Sequence, residues 1–299
     1  TAAGKWLASI ELALHNIFFY IGKTIFPFQL SPLYPAPAFG DGLAQPVRFW
    51  FELAALFFIA LSCWLLRHKQ RAALFGAVFF LIALSPALQL VPIGWAAAAD
   101  RYTYLASLGL TFGASRLLFD FYEKAGAFQR AITRLSVLAV LLAYAALSFT
   151  GCFIWKNSAT LWNRVLRFYP NSGIALTNRG KALAQEGRLQ EAVKDFEKAL
   201  KTDPNSVIFL SNSATALARL GRFEEALRNI SRAIALMPDA APIYNNRGAV
   251  YLLSGRADLA LKDFQMAVNL QPGYANARNN LETAAQLSKK SRPSLPKPD

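Results

Sequence analysis

Long apolar stretches, broken by short polar ones, dominate the first half of the chain. A helix that crosses a bilayer needs about 20 consecutive, mostly apolar residues. Four stretches meet that requirement, at about 47–66, 72–91, 102–119 and 135–155. The stretch at 102–119 is the weakest of the four because it contains Arg116. The pattern predicts a polytopic transmembrane helix bundle.

A fifth apolar helix is predicted at about 5–26. It carries Lys5, Glu11, His15 and Lys23, so we expect it either to lie at the membrane interface or to span the bilayer. His15 is the lone histidine of this apolar helix, and we interpret it as a packing residue.

The basic residues of the connecting loops predict an orientation. The segments 67–71 and 116–134 hold seven Lys and Arg, against one in the segments 27–46 and 92–101. Because cytoplasmic loops are enriched in Lys and Arg, 67–71 and 120–134 are expected in the cytoplasm. The last apolar helix then leads the C-terminal half to the non-cytoplasmic side.

Small residues and prolines recur in the C-terminal half with a period of 34 residues. Gly180, Gly187 and Pro204 have counterparts in the next two periods, as do alanines and large apolar residues between them. The counterparts of these three are Ala214, Gly221 and Pro238, then Gly248, Gly255 and Pro272. This spacing is typical of tetratricopeptide repeats (TPRs), in which small residues let paired helices pack closely.

We therefore predict an all-α chain in which the transmembrane helix domain, residues 1–155, precedes a TPR α-solenoid, residues 156–289. Three full repeats are expected. They lie at 173–206, 207–240 and 241–274. The proline-rich, charged residues 290–299 are predicted to be a disordered tail.

The net charge of +14 is too evenly distributed to favour nucleic-acid binding. Basic residues occur in both halves, mixed with acidic ones, and short basic runs flank apolar stretches as at a membrane edge. The two cysteines, Cys63 and Cys152, lie inside apolar runs and predict neither a metal site nor a disulfide. We expect no metal and no nucleic-acid partner.

Four residues at the outward ends of the helices are candidates for binding chemistry. Arg101 follows Asp100 at a predicted helix start and precedes Tyr102, an arrangement that suits an anion at the membrane face. Glu52 lies inside an apolar helix, where an acid is costly. Each has a structural alternative, in which Asp100 caps the helix, Tyr102 belongs to an aromatic belt, and Glu52 pairs with Arg48.

Asparagines recur at position 6 of each repeat. They are Asn178, Asn212, Asn246 and Asn280. A column of amides can bind the backbone of an extended peptide, which makes them candidate peptide-binding residues. Alternatively, asparagine at this position serves the repeat structure itself.

Two short motifs, Leu30–Pro35 and Ala99–Ser107, precede the repeats in a distinctive order. With them, residues 5–289 resemble the C-terminal part of TPR-containing GT-C class membrane glycosyltransferases, namely transmembrane and TPR-containing protein O-mannosyltransferases and their bacterial relatives. The resemblance implies a polyprenyl-phosphate-linked sugar as donor substrate, a protein acceptor, and no separate cofactor. By this resemblance, Arg101 corresponds to an arginine that contacts the donor phosphate.

The resemblance also implies a catalytic acid in an earlier outward loop, which this chain does not contain, so the catalytic residues are unknown. Residue 1 is Thr rather than Met, which is typical of a fragment or a processed product. Two functions remain open. The chain is either the membrane half and TPR module of such a glycosyltransferase, or a non-enzymatic membrane-anchored TPR scaffold for protein assembly.

Overall fold

A computed structural model describes residues 2–35, 46–88 and 96–291. The chain forms two compact units, Thr1–Lys156 and Asn157–Asp299.

The described part of the N-terminal unit contains five α-helices and one short pair of strands. The helices are α1 (Ala2–Ile25), α2 (Pro46–Leu66), α3 (Arg71–Leu84), α4 (Thr103–Lys124) and α5 (Ala127–Cys152). The strands are β1 (Tyr34–Pro35) and β2 (Ala96–Ala98), and short 3₁₀ turns lie at Ser85–Ala87, Asp100–Tyr102 and Phe153–Trp155. The strand pair was not predicted, because five residues are too few to show an alternating pattern.

Within the described residues, two helices are long and apolar enough to cross a membrane by length and composition alone. They are Val47–Leu65, with 19 residues, and Ala127–Trp155, with 29. The apolar helix within the predicted span 72–91 is shorter, Arg71–Ala87, and residues 89–91 lie outside the described residues. Helix α4, which covers most of the predicted span 102–119, is not one of these two helices. The all-α prediction is confirmed, and the polytopic bundle stays a prediction.

Helices α3 and α4 pack through glycines. A Cβ atom on Gly76 would collide with the carbonyl oxygen of Gly109, and one on Gly109 with the carbonyl oxygen of Gly76. Gly113 lies against Ala73 of α3 in the same interface. Since nothing larger fits, the two backbones approach more closely than ordinary side chains allow.

Apolar side chains cover the outside of α2 and α5. None of the 26 residues of α5 is buried, and large apolar residues of both helices are exposed. The exposed set includes Trp50, Phe51, Phe57, Phe58, Trp64, Leu135, Leu138, Leu141, Leu142 and Phe149. An apolar surface of this extent, which the described structure leaves uncovered, is typical of contact with lipid or with another protein.

The C-terminal unit is a row of antiparallel helices. It begins with α6 (Ser158–Phe168), which is capped by the side chain of Asn157. Three helix pairs follow, and in each the first is called the A helix and the second the B helix. The pairs are α7 (Gly173–Gln185) with α8 (Leu189–Thr202), α9 (Val207–Arg219) with α10 (Phe223–Leu236), and α11 (Ala241–Leu253) with α12 (Ala257–Leu270). Helix α13 (Ala275–Ser291) closes the row, and residues 292–299 of the predicted disordered tail lie outside the described residues.

Repeat positions 8 and 24 fit each other by volume. Gly180 faces the ring of Phe196 so closely that a Cβ would lie 2.7 Å from it, and Gly248 faces Phe264 at the same 2.7 Å. The middle repeat has Ala214 instead of glycine, and Ile230 instead of phenylalanine. The larger residue at position 8 is thus accompanied by a smaller one at position 24, as close packing requires.

We predict that Gly180→Ala lowers the free energy of unfolding by about 1–3 kcal/mol, because the added methyl overlaps the ring of Phe196. Phe196→Ile alone should also destabilise the repeat, by leaving a cavity. The double variant, which reproduces the pair of the middle repeat, should be more stable than either single variant. Chemical denaturation followed by circular dichroism measures all three.

Gly273→Ala is the matched control, because no atom lies within 4 Å of a Cβ at that position. Its free energy of unfolding should change by no more than about 0.5 kcal/mol. If Gly180→Ala were as neutral as Gly273→Ala, the proposed fit between positions 8 and 24 would be wrong.

Candidate functional site

The two loop motifs of the N-terminal unit meet in space. Strand β1 pairs antiparallel with β2, with Tyr34 opposite Ala98. The Tyr34 hydroxyl donates a hydrogen bond of 2.9 Å to Oδ1 of Asp100 and accepts one of 3.0 Å from the backbone N–H of Ser31. We call residues 26–35 and 96–102, together with the C-terminal half of α1, the loop junction.

Helix α1 supports this loop junction from one side. The hydroxyl of Tyr20 accepts a hydrogen bond of 3.1 Å from the backbone N–H of Ala99. Lys23 donates to the carbonyl oxygen of Phe28 at 2.8 Å, and its ammonium lies 5.7 Å from the ring centroid of Tyr34. Neither Tyr20 nor Tyr34 was predicted as a functional residue, although Tyr34 belongs to one of the two motifs.

Arg101 is an exposed cation at the loop junction. Its guanidinium lies 5.0 Å from the centroid of the Tyr102 ring and donates long hydrogen bonds of 3.4 Å to the Tyr102 hydroxyl and to the carbonyl oxygen of Pro32. Among the described residues, no carboxylate forms an ion pair with it. A guanidinium held against an aromatic ring and lacking a carboxylate can bind an anion.

Asp100 does not cap a helix with its side chain. The residue lies in the first turn of a 3₁₀ helix whose N-terminal residue, Ala99, makes no side-chain cap, and the following helix has Tyr102 in that place. Its carboxylate instead accepts the hydroxyl of Tyr34, so Asp100 joins the two loops.

Glu52 belongs to a polar cluster on α1 and α2. Its Oε1 accepts a hydrogen bond of 3.0 Å from Nε of Arg48 and lies 3.2 Å from Nδ1 of His15. Only 7% of Glu52 is exposed, and these two partners contact its buried carboxylate. The pairing with Arg48 agrees with the structural alternative for Glu52. The interpretation of His15 as a packing residue is incomplete, because the ring also contacts the Arg48 guanidinium.

The four position-6 asparagines are half-buried along the A helices and α13. Asn246 donates a hydrogen bond of 2.8 Å to the hydroxyl of Ser211, and Asn280 donates one of 2.9 Å to Oδ1 of Asn245. Each bond joins position 6 to position 5 of the preceding repeat. For Asn178 and Asn212, the described structure shows no side-chain hydrogen bond. The column therefore combines inter-repeat links with amides that remain available.

A second set of polar pairs holds each A helix to its B helix, at positions 7 and 23. Arg179 forms a bidentate pair with Asp195 at 2.7 and 2.6 Å, and Arg247 forms one with Asp263 at 2.7 Å for both bonds. Ser213 and Asn229 replace them in the middle repeat, joined by a neutral hydrogen bond of 3.1 Å. These pairs were not predicted from the sequence, although a constant spacing of 16 residues could have indicated them.

The Arg247–Asp263 pair is an electrostatic as well as a geometric link. The hydrogen bond to Asp263 raises the pKa of Arg247 above its ordinary value, because the neighbouring carboxylate favours the charged guanidinium. The side chain of Asp263 is only 8% exposed. A buried carboxylate without its arginine is strongly destabilising.

Two family models match the C-terminal unit, both described as tetratricopeptide repeat, over residues 173–206 and 206–272. The chain therefore contains TPRs, and the prediction of these repeats is confirmed. No curated protein matches the chain.

Several solved structures resemble the repeats. The first TPR domain of human RPAP3 is 26% identical, with a TM-score of 0.38, over 40% of this chain and 95% of that one. MamA is 24% identical, with a TM-score of 0.38, over 44% and 72%. An O-GlcNAc transferase from Thermobaculum terrenum is 23% identical, with a TM-score of 0.36, over 38% and 22%. The chain spans less than a quarter of that enzyme.

We predict that Asn246→Ala lowers the free energy of unfolding by about 1 kcal/mol, because it removes the hydrogen bond to Ser211. Asn178→Ala should change it by no more than about 0.5 kcal/mol, since no such bond is lost. Thermal unfolding of the two variants measures the difference. Equal destabilisation by both would mean that all four asparagines serve the repeat structure in the same way.

We predict that Arg247→Ala destabilises the chain by about 2–3 kcal/mol, because Asp263 keeps a buried charge without a partner. Arg247→Ser combined with Asp263→Asn copies the neutral pair of the middle repeat and should recover part of that loss. Urea denaturation at neutral pH measures both variants. A double variant less stable than Arg247→Ala would contradict this account of the pair.

Proposed function

We propose that this chain is the membrane part and TPR module of a glycosyltransferase that uses a polyprenyl-phosphate-linked sugar. The TPRs recruit the protein acceptor. The observation that carries the proposal is the exposed guanidinium of Arg101, held against Tyr102 at a junction of two loop motifs and forming no ion pair with a carboxylate of the described residues.

Membrane insertion is proposed from the apolar outside of the N-terminal unit. Helix α5 buries none of its residues, and α2 exposes tryptophan and phenylalanine along its length. A hydrocarbon environment covers such surfaces at no cost, and helices satisfy their own backbone hydrogen bonds within it. With the basic segments 67–71 and 120–134 in the cytoplasm, the TPR module is proposed to lie on the non-cytoplasmic side.

The chemistry of the loop junction suits a phosphate on a lipid. A guanidinium offers parallel N–H donors that match the oxygens of a phosphate, and an adjacent ring holds the guanidinium plane. Lys23 supplies a second cation near the ring of Tyr34, although its ammonium already donates to the carbonyl oxygen of Phe28. Apolar residues of the helices would contact the polyprenyl chain.

No catalytic residue is assigned. Asp100 accepts the Tyr34 hydroxyl, and Glu52 is paired with Arg48 and His15, so both carboxylates hold structure. The described residues show no contact between Glu52 and Arg101, which makes Glu52 a weaker supporting residue than Asp100 or Tyr102. The acid implied by the resemblance belongs to an earlier loop.

The A-helix face of the TPRs is proposed as the acceptor surface. It consists of positions 2, 6, 9 and 13 of the three full repeats, and none of these twelve residues is buried. None is Asp or Glu, while Asn178, Asn212 and Asn246 run along its middle. Amides and short polar side chains can bind the backbone of an extended peptide with little dependence on its sequence.

A non-enzymatic membrane-anchored scaffold is the second candidate function. It is favoured by the family matches, which cover the TPRs alone, and by the structural roles of Asp100 and Glu52. In that case the A-helix face still binds a partner, and Arg101 is an interfacial anchor without a bound phosphate.

We predict that Arg101→Ala weakens binding of a polyprenyl-phosphate sugar by roughly ten- to a hundredfold, as expected for about 1.5–3 kcal/mol of charge-assisted contact. Arg101→Lys should recover only part, because lysine keeps the charge and loses the planar fork. The measurement is equilibrium capture of radiolabelled donor by the chain in lipid nanodiscs.

Arg116→Ala is the matched control, because Arg116 is also an exposed arginine of this unit but is paired with Asp120 at 2.9 Å. It should leave donor capture unchanged. Equal capture by the wild type and Arg101→Ala would favour the scaffold.

Changing Asn178, Asn212 and Asn246 together to Ala should weaken acceptor binding and leave donor capture unchanged.

A further inference from the structure

Two sets of basic residues can be distinguished on the TPR module by their ion pairs and their position. Five arginines form ion pairs with carboxylates of the same module. They are Arg179, Arg188, Arg222, Arg247 and Arg256. A second set of six lies on the B helices, and within the described residues none of the six forms an ion pair. They are Lys194, Lys198, Lys201, Arg228, Arg232 and Lys262.

The second set occupies only three repeat positions, 22, 26 and 29. In the three full repeats these positions hold nine residues, all of them exposed, and none is Asp, Glu or aromatic. On α8 they lie opposite the buried residues Val193, Phe196 and Ala199. We call these nine positions the basic stripe. Arg167 of α6 lies 34 residues before Lys201 and continues the pattern.

The basic stripe borders a groove between α6 and α8. The groove has a volume of about 430 Å³, and its lining includes Asn163 with Lys194, Lys198 and Lys201. The three carboxylates there have arginine partners, since Asp195 binds Arg179, Glu191 binds Arg188, and Glu197 lies 3.9 Å from Arg222. The hydrogen bond from Arg188 lowers the pKa of Glu191, so that pair stays charged at neutral pH. The three lysines therefore leave a positive rim.

We infer that the basic stripe docks the TPR module on an anionic phospholipid surface. Exposed cations that form no ion pair among the described residues attract a diffuse negative surface, and each contributes separately near anionic headgroups. Nucleic acid is disfavoured, because no aromatic residue on the stripe offers a base a stacking partner. The chain sequence also favours a lipid surface, because helix α5, which is proposed to span the membrane, ends at Cys152 and α6 begins at Ser158.

Charge disfavours other parts of this chain as occupants of the basic stripe. A second copy that packed through the same face would bring one basic stripe against another. The C-terminal residues 289–299 carry four basic residues and one acidic residue, so they are repelled as well. With the stripe on lipid, the A-helix face, on the other helix of each pair, remains available for a partner.

The test uses the full chain in phosphatidylcholine vesicles with or without phosphatidylglycerol. A fluorophore is attached at Ser231→Cys, an exposed position beside the stripe, with Cys63 and Cys152 changed to Ser. A lipid with a nitroxide on its headgroup quenches the dye when the stripe is docked. Quenching should increase with phosphatidylglycerol and decrease in high salt, because salt screens surface charges. A dye at Thr215→Cys, on the A-helix face, should not respond.

Lys198→Gln with Lys201→Gln should lower the docked-to-free ratio by roughly thirtyfold. Lys181→Gln with Arg278→Gln removes the same charge outside the stripe and should leave quenching unchanged. Equal quenching in neutral and anionic vesicles would overturn the inference, as would a double lysine variant that loses only binding to an acidic peptide.

The inference rests on the proposed membrane insertion but not on sugar transfer. Failure of insertion is recognised separately, by a chain that does not float with neutral vesicles.

Discussion

The hydrogen bond between Tyr34 and Asp100 holds together two loops that are 66 residues apart in sequence. It fixes Asp100 at the start of the 3₁₀ turn, and Arg101 follows in that turn against Tyr102. Tyr20 reinforces the same point from α1 through the backbone of Ala99. The anion-binding geometry of the proposed donor site therefore depends on the loop junction. In that junction the carboxylate of Asp100 joins the loops, and the guanidinium of Arg101 is proposed to bind the phosphate.

In the TPR module, the corresponding constraint is that each repeat must fill the same space with different residues. Gly180 with Phe196 and Ala214 with Ile230 are two solutions to one volume, and Arg179 with Asp195 and Ser213 with Asn229 are two solutions to one polar contact. Because the core of each repeat is closed in this way, the exposed positions are free to differ. The exposed positions of the A-helix face include amides, and those of the basic stripe include cations, while the packing inside the repeats is the same.

The repeats could be predicted from the sequence because a period of 34 residues is visible in the residue types alone. The ion pair of Arg48 with Glu52 could be anticipated as well, because four residues separate the two on one helix. The contact of His15 with Glu52 could not, since 37 residues separate them and no local pattern records which helices meet. The same holds for Tyr34 and Asp100. The motifs that contain them were recognised, but their contact arises only from the tertiary fold.

The central claim is that the loop junction binds the phosphate of a polyprenyl lipid. The most direct measurement is photo-cross-linking of the chain, in lipid nanodiscs, with a polyprenyl phosphate that carries a photoreactive group next to the phosphate. The account predicts labelled peptides from residues 20–34 and 99–104, with labelling competed by excess polyprenyl phosphate and not by the uncharged polyprenol. Labelling spread along α2 and α5, and unaffected by either competitor, would contradict it.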